Sequence, residues 1–359
     1  MRLIRSCLKL VTLLLVLLGT GEWPSAQRHQ PGAVTPRGER VLGMEVNQPA
    51  GFDHGVELER AQALGASLTS LTLPWSVLEP QPGAFDFALL DLGLGFYRSQ
   101  GVGVLLSVPV LDTIEALLPP DLDAAVESGA LRLSDPLVRW RLQALLRAVL
   151  ARAGPELVYL CLANEVDVCL ANRPAAWWTE LRWLLTSGIA VVRTMRPDVR
   201  VGLSATFGGL TDARLVRLTA NHDVRFTTYY AAGNLGGSAS GRVELDLQRM
   251  LAYAGSKPLV LKECGYATGA AQASEAGQAR FVRALFDAWD RHADAVPCLV
   301  LARMFDGVPA ECAAQAAYYG LPDDPEFIAF LCTLGLRRED GRAKPAWREL
   351  AFQTEMRGF

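Results

Sequence analysis

The chain has 359 residues, half of them apolar, and a formal net charge of −3. That length can bury one large core, and a single α/β barrel of about 250 residues with insertions fits it. A charge balance so close to zero offers no basic field for nucleic acid or anionic lipid, so partners of those classes are not expected.

In chain order, the first stretch reads as a targeting segment. Arg2, Arg5 and Lys9 precede an apolar run from Leu10 to Leu18, and small and polar residues follow as far as Pro24-Ser25-Ala26. A basic start, a short apolar stretch and a small-residue cleavage region mark a signal peptide. We place it at residues 1–26. The run is short for a bilayer span, and an uncleaved anchor is the alternative. Residues 27–40 are polar and carry Pro and Gly, so a flexible lead-in is expected there. Residues 41–359 then form the folded domain of an exported protein, secreted or periplasmic. No later stretch is long and apolar enough to cross a membrane.

The rest alternates strand-like apolar runs with amphipathic helical ones. Strands are expected at Val41–Val46, Ser67–Leu73, Val102–Val108, Leu157–Ala163, Val199–Ser204, Val224–Tyr230, Leu259–Lys262 and Cys298–Met304. Helices are expected between them at Val56–Leu64, Phe87–Gln100, Pro136–Ala153, Trp177–Met195, Ala213–Leu218, Val243–Tyr253 and Ser274–Ala293. A long insertion, Asp112 to Ser134, precedes the helix at Pro136. A last helix covers Pro325–Leu334 or Pro345–Phe352. Parallel strands need long crossovers, so this alternation points to a parallel sheet. Eight units fit a single-domain (β/α)₈ TIM barrel. An open doubly wound sheet is the alternative, weakened because no GxGxxG or P-loop follows the first strand.

Two strands carry the chemistry. Residues 157–167 read LVYLCLANEVD, an apolar run that ends abruptly in Asn164 and Glu165. Residues 258–265 read PLVLKECG and bring Glu263 to the end of a second such run. Parallel α/β folds bind ligands at the carboxyl ends of their strands. In a barrel the fourth and seventh strands face each other over the mouth. Paired carboxylates about 5–5.5 Å apart suit retaining glycoside hydrolysis, one attacking the sugar carbon and the other protonating the leaving oxygen. Asn164 is a candidate for bonding a sugar 2-hydroxyl. Glu45 and Asn47 end the first strand at the same mouth and are candidates for hydroxyl contacts. Trp75 is a candidate stacking platform. Trp177 and Trp178 suit helix packing better, and Glu79 and Asp86 suit the fixing of their own loop. By strand alternation Lys262 and Cys264, which flank Glu263, are expected to face the helices instead. Four scattered histidines and no CxxC spacing argue against a metal site, and no cofactor is expected. Cys161, Cys264 and Cys298 read as small buried hydrophobes, while Cys312 and Cys332 are candidates for a disulfide.

These motifs resemble the clan A glycoside hydrolases. ANE at the end of strand four and KECG at the end of strand seven are similar to the acid/base and nucleophile segments of that clan. The segment LPWSVLEPQPGAFDF after strand two and the ending GLRREDGRAKPAW resemble segments common in it. HDVRFTTYY matches its strand-six pattern, which ends in a Tyr. The resemblance spans about residues 41 to 350. It implies a (β/α)₈ barrel in which Glu165 is acid/base, Glu263 is nucleophile and Tyr230 bonds the nucleophile. It implies hydrolysis of a β-linked oligo- or polysaccharide with retention. The chain departs from the pattern in three places. Strand two ends LTLPW without the usual Arg, strand three ends SVPV without a His, and strand eight reads VLARMFDG without a Trp. Phe305 or Arg303 must then serve as the sugar floor. A carbohydrate-binding barrel without turnover and a transglycosylase are the alternative readings. Oligomeric state is left open.

Overall fold

A parallel strand covered on both faces can carry polar chemistry only at its ends, and this constraint organises the molecule. A computed structural model describes residues 34–231 and 241–359. The expected signal peptide lies outside the described residues. Eight parallel strands run in one direction: Val41–Met44, Ala66–Thr72, Gly103–Ser107, Leu157–Cys161, Arg200–Gly202 resuming as Ser204–Thr206, Arg225–Tyr230, Leu259–Gly265 and Cys298–Leu301. We number them one to eight. Strand eight pairs with strand one. The first half of strand five pairs with strand four and its second half with strand six. Across the gap, Leu162 N donates to Gly202 O at 2.9 Å, and Phe226 N donates to Leu203 O at 3.2 Å. The sheet therefore closes on itself. The fold is a (β/α)₈ barrel.

Side chains alternate between two apolar layers along each strand. Leu68, Leu105, Tyr159, Cys161, Phe226, Val260, Cys298 and Val300 fill the barrel interior. Leu160, Leu299 and Cys264 face the surrounding helices. Strand one carries Gly43 where a Cβ would come within 2.9 Å of Val300 Cγ2, so the packed interior leaves no space for a side chain there. The helices that follow the eight strands are His54–Gln62, Ala88–Ser99, Pro136–Arg152, Ala176–Met195, Ala213–Leu218, Val243–Ala254, Glu275–Arg291 and Pro345–Arg357. Trp177 and Trp178 are buried in the packing of their helix.

Several boundaries differ from the sequence reading. The insertion after strand three is not formless: Leu111–Asp112 pairs antiparallel with Glu115–Ala116, and Pro120–Glu127 is helical. Both candidate last helices exist, as Pro325–Cys332 and Pro345–Arg357, and a further helix spans Pro309–Tyr318. Cys312 and Cys332 are disulfide-bonded with Cα atoms 5.6 Å apart, which ties the two shorter helices together. The end of the expected lead-in is docked. Arg40 is buried, pairs with Asp290 at 2.8 Å and donates to the carbonyls of Thr35 and Pro36. A buried guanidinium needs these partners, and they fold the preceding residues against the protein.

Two segments brace the mouth from outside. Trp75 is fully buried and donates from Nε1 to Glu79 at 2.7 Å. Glu79 also accepts from Gly83 N and from Arg141 Nε at 2.9 Å, and Arg141 pairs in turn with Asp121. This chain of bonds fastens the loop after strand two to the insertion and to the helix Pro136–Arg152. Near the carboxyl end, Lys344 is buried against Asp306 at 2.6 Å and also bonds Thr268. It holds the loop that follows strand eight. Removing one partner of a buried pair leaves the other charge uncompensated. Lys344→Met is expected to destabilise the fold by about 3–5 kcal/mol. Adding Asp306→Asn should recover much of that loss. Urea unfolding midpoints of the single and double variants check both expectations.

Candidate active site

The mouth lies where the strands run out. Strand four ends at Cys161, and the chain continues through Asn164 into Glu165, which opens the helix Val166–Ala171. Glu165 adopts φ 43° and ψ 45°, a left-handed conformation that costs a non-glycine residue about 1–3 kcal/mol. The conformation turns its side chain over the pocket. There Thr113 from the insertion bonds one carboxyl oxygen at 2.8 Å, and Thr228 from strand six bonds the other at 2.6 Å.

Glu263 stands on strand seven. Tyr230 donates its hydroxyl hydrogen to Oε2 at 2.7 Å, and Lys262 donates from Nζ to Oε1 at 2.6 Å. Lys262 also donates to Asn164 Oδ1 at 3.1 Å, and Asn164 Nδ2 donates to Asp112 at 2.8 Å. The expected orientation of Lys262 is therefore corrected. Strand seven pairs Leu261 with Thr227 and then Glu263 with Thr228, which leaves Lys262 as an extra residue. A bulge of this kind breaks the alternation and turns both neighbours to one side. Cys264, beyond the bulge, faces the helices as expected.

The two glutamates are pushed in opposite directions. Burial raises the Glu165 carboxyl to about 7, and the negative charge of Glu263 adds to that. Burial also acts to raise Glu263, but the charge and hydrogen bond of Lys262, with the bond from Tyr230, outweigh it and hold Glu263 below its usual value. Glu45 is likewise raised to about 7, by burial and then by Glu263. Burial and the charge of Glu263 keep the Tyr230 hydroxyl protonated, as a donor must be.

Together these groups line a cavity of about 440 Å³, in the size range of small-ligand sites. Glu45, Asn164, Glu165, Tyr230 and Glu263 all lie on it. Three other expected contacts do not. Trp75 is committed to Glu79 in the core. Asn47 is used by the backbone, donating to Phe305 O and accepting from Phe305 N, both at 2.9 Å. Phe305 is fully buried against Phe52 and beneath Arg337. Asp167 accepts two bonds from Thr206 and ties strand five to the start of the helix Val166–Ala171. Arg303, the other candidate for the sugar floor, lies on the cavity at φ 66° and bonds Leu331 O and Gln315.

Sequence reasoning missed one wall altogether. Tyr319, Phe327 and Phe330, from the disulfide-linked helices after strand eight and the turn between them, line the cavity. Phe330 stands against Tyr230 with ring centroids 5.4 Å apart. Nothing local to residues 309–332 announces this placement. Thr228 was within reach of sequence reasoning, since it lies two residues before Tyr230 and shares its face. Among the described residues, no cluster of His, Cys, Asp and Glu is arranged to hold a metal ion.

The sequence matches no protein-family model and no curated protein. Solved structures do match in fold. A variant of a family 5, subfamily 18 glycoside hydrolase from Bifidobacterium longum subsp. longum, in complex with Manβ1-4GlcNAc, superposes with a TM-score of 0.66 at 15% identity, over 88% of this chain and 78% of that one. The chain has the fold of glycoside hydrolase barrels. An exo-β-1,4-mannosidase from Opitutaceae bacterium strain TAV5 gives 0.63 at 18% identity, over 88% of this chain. A family 39 glycoside hydrolase from Bacteroides cellulosilyticus WH2 gives 0.61 at 15%, over 89% of this chain. The chain spans 59% of the mannosidase and 64% of the family 39 protein.

Proposed function

We propose that this protein is an exported retaining glycosidase that cleaves β-linked saccharides by double displacement. One observation carries the reading. Glu165 and Glu263 share one cavity, with an ammonium and a phenol on Glu263 and only threonine hydroxyls on Glu165, so that their surroundings push the first carboxyl up, to about 7, and the second down. Such a split assigns acid and nucleophile. Glu263 attacks the anomeric carbon while Glu165 gives its proton to the leaving oxygen. Glu165, now ionised, then takes a proton from water, which attacks the glycosyl ester and frees Glu263. Tyr230 steadies the nucleophile through its 2.7 Å bond. Asn164 and Glu45 serve the sugar hydroxyls, and Tyr319, Phe327 and Phe330 offer apolar faces to a pyranose ring. None of these steps requires a cofactor.

The solved neighbours suggest where to begin with substrates. One is held with Manβ1-4GlcNAc and another is an exo-β-1,4-mannosidase, so β-mannosides lead a panel of aryl β-glycosides and β-linked polysaccharides. The protein is expected to release sugar from at least one member, and Glu263→Ala to lose several orders of magnitude in kcat/KM. Glu165→Ala is expected to lose about 10²–10⁴-fold on substrates with poor leaving groups and far less on dinitrophenyl glycosides, which need no proton. Azide should restore that variant with formation of the β-glycosyl azide. Release of no sugar by the wild type, with glycan binding indifferent to Glu263→Ala, would favour a binding barrel.

The pH profile of kcat/KM follows from the same split. Activity should fall as pH rises through about 7, where Glu165 gives up its proton. It should fall on the acid side only below the ordinary carboxylate range, where Glu263 gains one. Glu165→Gln should abolish the basic limb. A basic limb unchanged in that variant would assign it to Glu45.

A further inference from the structure

A lysine beside a nucleophilic glutamate on one strand would ordinarily face away from it. Here the strand-seven bulge brings both side chains into the cavity. The Lys262 side chain is 3% exposed, and its Nζ has two partners, Glu263 Oε1 at 2.6 Å and Asn164 Oδ1 at 3.1 Å. One ammonium thus joins the tips of strands four and seven. Among the described residues, it is the one cation ion-paired with a cavity carboxylate: Arg303 bonds neutral groups, and Glu45 and Glu165 have no ion pair. Thr72, at the end of strand two, brings no charge to the cavity. Burying an ammonium is costly, and a hydrophobic residue would serve packing alone at less cost.

Resting on the glycosidase reading, we infer that Lys262 is a positioning residue. It fixes the carboxylate of Glu263 in its ionised form and orients the carboxamide of Asn164 for the sugar. Bulges are enriched beside active sites because they re-aim a side chain, and this one delivers a charge at that spot. The other titratable and charged groups facing Lys262 are Glu45 from strand one, Asp112 from the insertion, Cys161 and Glu165 from strand four, Tyr230 from strand six and Arg303 after strand eight. Burial pushes Glu263 towards its neutral form, and Lys262 opposes that at contact distance, with the more distant charge of Arg303 acting in the same sense.

The test reads the carboxyl of Glu263 directly, so that it does not depend on turnover. The protein is labelled with [¹³C]carboxyl glutamate, and the signal of Glu263 is assigned by its loss in Glu263→Gln. In wild type that carbon should titrate below the usual glutamate range. In Lys262→Met it should titrate about 1–3 pH units higher, and in Lys262→Arg close to wild type. Lys262→Gln serves if the Met variant does not fold, as judged by circular dichroism and thermal unfolding. With an active aryl glycoside, Lys262→Met should lower kcat about 10²-fold with a smaller change in KM, and the acid limb should move up with the carbon signal. An unchanged Glu263 titration in a folded Lys262→Met protein would overturn the inference. A shifted titration in a protein that hydrolyses no glycoside would uphold the Lys262–Glu263 coupling and overturn the glycosidase reading instead.

Discussion

Two carboxylates in one low-dielectric cavity repel each other, and the site is arranged around that repulsion. Glu165 and Glu263 cannot both be ionised at low cost once buried. The structure resolves the conflict by giving them unequal company. Glu263 has an ammonium and a phenol at hydrogen-bond distance. Glu165 has two threonine hydroxyls, which can donate to a carboxylate or accept from a carboxylic acid. The charge that favours one glutamate leaves the other holding its proton. Glu45 enters the same balance as a third carboxyl, raised mainly by burial.

The backbone around this balance is strained where the site needs it. Glu165 and Arg303 are two of three non-glycine residues at positive φ among the described residues, and both line the cavity. Strain of this kind persists only where surrounding structure over-determines it. At Glu165 the following helix and the two threonines supply the constraint. At Arg303 the next residue is tied down, Met304 N donating to Glu45 O at 2.8 Å, and the side chain reaches into the disulfide-linked helices. The third departure from regularity, the bulge at Lys262, belongs to the same rim.

The two segments outside the strands that resemble clan A patterns act from behind. Trp75, Glu79 and Arg141 form a buried bonded chain that carries no exposed chemistry, and Lys344 with Asp306 does the same for the loop after strand eight. Both hold loops at the mouth, one after strand two and one after strand eight. Asn47 belongs with them. Its carboxamide closes a two-way bond with the backbone of Phe305 and joins strand one to the end of strand eight.

The sequence by itself determined the barrel and the two glutamates. Eight apolar runs with helical crossovers leave few topologies, and a carboxylate at the tip of a buried strand has only the mouth to occupy. Tyr230 came from the resemblance of HDVRFTTYY to the clan's strand-six pattern, and its hydroxyl does bond Glu263. The tertiary structure decided everything that alternation and proximity in sequence do not govern. Lys262 reads as outward when counted from Glu263, but it is in phase with the inward Val260, and the bulge keeps Glu263 on that same side. Trp75, Asn47 and Phe305 read as available and are consumed by partners distant in the chain. The aromatic wall of Tyr319, Phe327 and Phe330 depends on helices folded back across the mouth and tied by a disulfide. Packing of long-range segments sets such placements, and no local pattern encodes it.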